Sequence, residues 1–189
     1  MNDIKVGEPL PLGSSITSEG VNFSLIATNA EYIEILIFEK EDSFYPKTIF
    51  KLDHMHKTGS YWHAEINNLK EGSIYAYRIK QKDNELNKNY SKTVLIDPCS
   101  RGITGWSKYK RENALNNFDN IDSSLKSVVC DRKSFNFKDF PRPKHSWKET
   151  IIYELHIKAF TQSFNEEESC FKKFLKKIPY LKELGITSI

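Results

Sequence analysis

Glu154 and His156 stand two residues apart in "YELHIKAF", pairing a carboxylate with an imidazole, a combination that many hydrolases use to move protons. The competing reading is structural: a carboxylate in the middle of a strand faces packing layers, and both residues then brace the interior. His54 and His56 flank Met55 at a spacing that would allow them to share a metal ion. A structural zinc needs four nitrogen or sulfur ligands, however, and a third ligand is not evident, so a solvated loop is expected there, with no metal and no cofactor. Serines occur without a nucleophile elbow, and no glycine-rich phosphate loop is present. Lys172, Lys173, Lys176 and Lys177 recur on one helix face and read as a solvated outer surface rather than a nucleic-acid patch.

The elements that would position these groups follow from composition and patterning. The 189 residues are 39% hydrophobic, 28% charged and 13% aromatic, which is a globular composition with room for one large domain, or for a small domain and part of another. A formal charge of +3 from 28 basic and 25 acidic residues creates no field that would draw nucleic acid or an anionic membrane, and neither partner is expected. Cys99, Cys130 and Cys170 are odd in number and far apart, without zinc or disulfide spacing, which fits a reducing compartment. "MNDIKVGEPLPLG" lacks the basic-then-apolar pattern of a secretory signal, and no apolar run approaches spanning length; the expectation is a cytoplasmic protein.

From Val21 to about Ile96, short alternating apolar runs are separated by Gly, Asn, Asp or Pro, the pattern of an antiparallel sandwich. The expected strands are "VNFSLIA", "YIEILIFE", "KTIFKL", "YWHAEI", "IYAYRIKQ" and "TVLI". Val21, Phe23 and Leu25 should point to the core, with Asn22 and Ser24 on a wet face. The nearly continuous apolar run "YIEILIF" predicts a central strand. "LKEGSIY" places a glycine turn just before Tyr75, which resembles the tyrosine corner of immunoglobulin-like sandwiches and makes Tyr75 structural.

Between "LIDPCSRGITG" and "PRPKHSW" the chain is dense in Asn, Asp, Lys and Ser, the mark of a surface connector, and a boundary is expected near residue 145. After it the pattern changes to a β-rich run, "TIIYELHIKAF", and then to a helical stripe of Phe171, Phe174, Leu175, Ile178, Leu181 and Leu184. Asn165 and Glu168 have capping-box spacing, with Glu166 and Glu167 favourable at the positive end of the helix. Pro179 should kink or divide the helix and Gly185 should end it, so that "ITSI" opens a second strand. The expected unit is one β-α-β, whose parallel strands must be buried by further units.

These pieces resemble known proteins in chain order. "PLGSSITSEGVNFSLIATNAEYIEILIFE" resembles the start of carbohydrate-binding module family 48, and "KTGSYWHAEINNLKEGSIYAYRI" resembles the later strands of that module in glycogen debranching enzymes of the isoamylase type. "LIDPCSRGITG" is similar to the linker that follows. "SWKETIIYELHIKAFT" and "IPYLKELGITSI" are similar to the first strand, first helix and second strand of the glycoside hydrolase family 13 barrel. Two departures stand out: "QSFNEEESCF" lacks the Gly-Thr-aromatic step common there, and "DPCS" has cysteine where an aromatic is usual.

The resemblance implies a mainly β architecture: an immunoglobulin-like β-sandwich at 1–100, a linker at 101–146, and at 147–189 the truncated first β-α-β of a TIM (β/α)8 barrel. A complete barrel takes roughly 250 residues. The implied parent activity is hydrolysis of α-1,6 branch points in glycogen or starch by an isoamylase or pullulanase relative; trehalose-releasing hydrolases and branching enzymes share the layout. The family's three catalytic acids follow the fourth, fifth and seventh barrel strands, so no residue of this sequence takes a catalytic role and the chain is expected to be inactive alone. Retaining cleavage needs two carboxyl groups about 5 Å apart, which such a chain cannot assemble.

The implied partners are α-glucans (glycogen, starch, limit dextrin) and the remainder of the catalytic barrel. For sugar contact the candidates are Tyr61, Trp62 and Trp106, since flat aromatic faces stack on pyranose rings, together with His156 and Lys158 near the active end of the first barrel strand. Trp62 alternates with Ala64 and Ile66, which places it on the core face; Tyr61 lies opposite. A free-standing glycogen-binding module and a non-catalytic interaction fragment, docking through its helix stripe, are the alternatives.

Overall fold

The computed structural model describes residues 3–81, 92–115, 119–131, 133, 136, 138, 140, 142–162 and 168–189. The chain forms two compact units, 1–135 and 136–189.

Among the described residues of the first unit, ten strands build two antiparallel sheets. They are β1 (Ile4–Val6), β2 (Gly13–Ile16), β3 (Gly20–Ile26), β4 (Ala30–Phe38), β5 (Thr48–Leu52), β6 (Lys57–Thr58), β7 (Tyr61–Asn67), β8 (Ile74–Gln81), β9 (Gly102–Thr104) and β10 (Lys126–Val128). One sheet runs β1-β7-β3-β2 with β6 on β7; the other runs β5-β4-β8-β10-β9. The core lies between them, where Val21, Phe23 and Leu25 of β3 and Trp62, Ala64 and Ile66 of β7 meet Ile33, Ile35 and Ile37 of β4 and Tyr75 and Tyr77 of β8. This is the predicted sandwich, with β4 central between β5 and β8 as its apolar run requires.

The outer face of β3 differs from expectation. Asn22 and Ser24 are buried rather than wet. The segment before β2 lies across them: the Asn22 side chain accepts from the Glu8 N–H at 2.7 Å and donates to the Glu8 carbonyl at 3.0 Å, and Ser24 Oγ donates to the Pro9 carbonyl at 2.6 Å. Gly7 permits this approach, because a Cβ there would lie 2.1 Å from Asn22 Oδ1. A polar strand face can thus be buried when the covering chain supplies its hydrogen bonds.

Tyr75 is structural, but its hydroxyl does not return to the corner. It donates to Asp97 Oδ2 at 2.7 Å, and Asp97 Oδ1 accepts from the Cys99 N–H at 2.7 Å. Burial raises the Asp97 pKa against the opposing pull of these two hydrogen bonds, and burial pushes the Tyr75 hydroxyl far up as well. "TVLI" joins the sheet only through a bridge between Leu95 and Tyr77. Val94 helps to cover the outer face of the second sheet with Leu36, Phe38 and Ala76.

The stretch expected as a linker contributes β9 and β10 to the second sheet and a short helix, α1 (Arg111–Leu115). Ser127 Oγ accepts from the Asp97 N–H at 2.9 Å, and Val129 is completely buried. Three-residue strands with lysine and serine at buried positions carry too little alternation to read as strands, which is why composition pointed to a connector.

In the second unit, Ile152 and Ser188 form a parallel bridge, reinforced by Tyr153 N–H donating to the Ser188 carbonyl at 2.9 Å. Among the described residues, three short helices lie between: α2 (Ile157–Phe160), α3 (Cys170–Leu175) and α4 (Ile178–Glu183). Pro179 sits in the first turn of α4, separating it from α3 as anticipated. Gly185, at φ +83°, closes α4, its N–H donating to the Lys182 carbonyl at 3.0 Å, and Ile186 N–H reaches the Leu181 carbonyl at 3.0 Å.

The N-terminus of α3 differs from the expected capping box. The helix starts at Cys170, and Ser169 caps it by accepting from the Lys172 N–H. Asn165, Glu166 and Glu167 lie outside the described residues; Glu168 pairs instead with Lys176 at 2.6 Å, which lowers its pKa. The apolar stripe is only partly covered: Leu181 is buried, whereas Phe171, Leu175 and Leu184 are exposed. Lys173, expected on the solvated face, is buried.

Candidate functional site

The five residues expected to contact sugar fall in three places. Tyr61 and Trp62 open β7. Tyr61 is half-buried beside Ile26 of β3 and Thr58 of β6. Trp62 points inward at 2% exposure, its Nε1–H donates to the Ala27 carbonyl at 2.9 Å, and Lys57 Nζ lies 4.8 Å from its ring centroid. Buried between the two sheets, Trp62 presents no free ring to a sugar, and its role is packing.

Trp106 has the opposite placement. It follows a turn at Gly105, whose φ of +94° suits glycine alone, and there a Cβ would lie 3.1 Å from the Ser124 carbonyl oxygen. The turn leaves the indole 64% exposed, braced edge-on by Tyr109 at a centroid separation of 5.9 Å.

His156 and Lys158 sit in the second unit, but not near the end of an extended strand. The chain leaves the extended conformation at His156, which becomes the N-cap of α2: its Nδ1 accepts from the Ala159 N–H at 3.2 Å. A helical turn wins because capping satisfies one of the orphan donors that open every helix. Used as an acceptor, Nδ1 leaves the proton of the neutral ring on Nε2. Both residues line a cavity of about 670 Å³ with Thr161, Glu168, Cys170 and Lys173. Glu154 is exposed and outside this lining, so the cavity unites His156 and Lys158 but does not pair His156 with Glu154.

His56 Nδ1 meets Asp53 Oδ1 at 3.0 Å in the short turn His54–His56, which pins the loop; the Asp53 pKa is lowered chiefly by this contact. Among the described residues no helix is long and apolar enough to cross a membrane. Local patterning does not single out two exposed or half-exposed aromatics: Tyr109, beside Trp106, and Phe44, 58% exposed. The available signal was "SFYP", two aromatics in a turn rich in polar residues and proline.

Residues 11–100 match the model of carbohydrate-binding module 48, the isoamylase N-terminal domain. A glycogen debranching enzyme of Pectobacterium atrosepticum is 26% identical over 202 aligned positions, covering 100% of this chain and 30% of that enzyme; the enzyme of Pectobacterium carotovorum is 27% identical with the same coverage. The chain therefore spans about 30% of the length of these relatives. Among solved structures, the glycogen-degrading pneumococcal virulence factor SpuA superposes with a TM-score of 0.68 at 18% identity, over 96% of this chain and 19% of that one. The Group B Streptococcus pullulanase SAP, in complex with maltotetraose, gives 0.67 at 20% identity, over 93% and 23%. The chain thus carries, over residues 11–100 of a mainly β sandwich, a match to carbohydrate-binding module 48, and as a whole it is similar to the N-terminal part of glycogen debranching enzymes.

Proposed function

We propose that this chain is the front portion of an α-glucan debranching hydrolase acting on α-1,6 branch points of glycogen or starch, in which the sandwich contacts the glucan. The observation that carries this reading is the similarity to glycogen debranching enzymes along 100% of the chain, not the sandwich alone. The maltotetraose complex of the structurally similar pullulanase supports an α-glucan ligand. In this reading 101–146 both lends β9 and β10 to the second sheet and leads on to 147–189, which opens the catalytic barrel; the parallel Ile152–Ser188 bridge flanking α3 and α4 is the arrangement such an opening needs. His156 and Lys158 then belong to the turn that follows the Ile152 bridge, on the substrate side of the barrel, and the catalytic acids belong to later strands. Three free cysteines fit a cytoplasmic setting.

A second reading, an interaction fragment completed by a separate chain, is favoured by the exposed Phe171, Leu175 and Leu184 on α3 and after α4. The two share the glucan-binding sandwich. Native electrophoresis of the purified chain through gels with and without glycogen tests it. Retardation that grows with glycogen concentration is expected, and equal mobility in both gels would overturn glucan binding by the sandwich.

A further inference from the structure

We propose that the α-glucan lies on a composite aromatic platform formed by Phe44, Trp106 and Tyr109, outside the sheets and largely outside the matched module. This inference rests on the reading of the sandwich as glucan-contacting and gives that contact a location. Trp106 and Tyr109 follow residue 100, where the family match ends, and Phe44 lies in the loop between β4 and β5.

Two segments far apart in sequence are joined here. Thr104 Oγ1 donates to the Glu41 carboxylate. Lys126 is 2% exposed, and its ammonium donates to the Glu41 carbonyl at 2.9 Å and to the Ile121 carbonyl at 3.4 Å, tying the β4–β5 loop to the turn before β10. Lys108 Nζ lies 4.9 Å from the Phe44 ring centroid. Lys110 N–H donates to the Ser123 carbonyl at 3.2 Å, and Asn113 Nδ2 donates to Ser123 Oγ at 2.8 Å, which fixes the start of α1 against the same turn. A preorganised loop pair loses less conformational freedom on binding than a free one.

The chemistry of the surface selects the ligand. Phe44, Lys108, Tyr109, Asp122 and Ser123 line a cavity of about 360 Å³, at the small end of ligand pockets; the exposed Trp106 indole, outside this lining, packs edge-on against Tyr109. Aromatic faces offer apolar area with a polar edge, suited to the C–H face of a pyranose. Around them stand both signs of charge and hydroxyls, namely Lys108, Lys110, Asp122, Ser107 and Ser123. Mixed charge beside aromatic faces favours a neutral polyhydroxylated ligand over an anion, which would want cations alone.

The test is calorimetric titration of the full chain with maltoheptaose. Trp106→Ala and Tyr109→Ala are expected to weaken binding at least tenfold and several-fold, Trp106→Phe to keep most of it, and Trp147→Ala, at an exposed indole in the other unit, to leave it unchanged. Unfolding midpoints measured in parallel confirm that each variant is folded; Trp106, being exposed, should not move the midpoint. Wild-type binding with Trp106→Ala and Tyr109→Ala both within twofold of it would overturn the platform while leaving glucan binding standing. A wild-type chain that binds neither maltoheptaose nor glycogen would overturn both.

Discussion

Trp62→Ala is expected to lower the unfolding free energy by about 3–5 kcal/mol, the range for truncating a fully buried large aromatic. The indole fills the space between the two sheets at 2% exposure, so its removal takes apolar area out of the core and leaves a void that flanking strands cannot close, since β3 and β6 fix β7 on both sides. The Ala27 carbonyl also loses its Nε1–H donor. Trp106→Ala should change stability by no more than about 0.5 kcal/mol, as an exposed site remote from the core. Urea unfolding of the two variants checks the contrast. Similar small losses for both would mean that Trp62 does not pack as described.

Asp97→Ala is expected to cost about 3 kcal/mol, because two donors, the Tyr75 hydroxyl and the Cys99 N–H, lose their acceptor inside the protein. Asp97→Asn should behave differently. Its carbonyl can keep the Cys99 N–H, and its amide can donate to the Tyr75 oxygen. Burial raises the Asp97 pKa, so the folded state holds this proton more tightly than the unfolded state does. The sign follows: the contribution of Asp97 to stability falls as pH rises from the ordinary aspartate range to its folded value, and above that value the buried charge is a constant cost. The difference in stability between wild type and Asp97→Asn should therefore shift in favour of the variant across that window and then level off. Thermal unfolding of both proteins from about pH 3 to 8 measures it. A difference that moves the other way, growing in favour of the wild type as pH rises, would show that the hydrogen bonds outweigh burial.

Much of the sandwich was legible because its strands obey one rule: residues two apart share a face, and in β4 and β7 those faces are strongly apolar. Val21, Phe23 and Leu25 were placed correctly by alternation, and Trp62 was placed inward by its register with Ala64 and Ile66. Alternation fails where a polar face is buried by chain rather than by water. Asn22 and Ser24 are satisfied by Glu8 and Pro9, partners about fifteen residues away that no local pattern announces. The same holds for β10, where Lys126 and Ser127 are buried because distant carbonyls and the Asp97 amide receive their donors and acceptors.

The site residues divide along the same line. Trp106 was visible as an aromatic in a polar stretch, but its neighbours Tyr109 and Phe44 became part of one surface only through tertiary contacts: the Gly105 turn, the Lys126 clip and Lys108 over the Phe44 ring. His156 misled because "YELHIKAF" alternates in its first half and then turns helical at the residue whose ring can cap the turn. Local patterning sees the strand; the cap depends on a hydrogen bond made three residues on.

Reducing-sugar release from pullulan by the purified chain is the deciding measurement, since retaining hydrolysis requires a pair of carboxyl groups about 5 Å apart, and the proposed function places these on barrel strands other than those of 147–189. No release above the buffer control is expected at any enzyme concentration. Release that scales with the amount of pure chain would contradict the account.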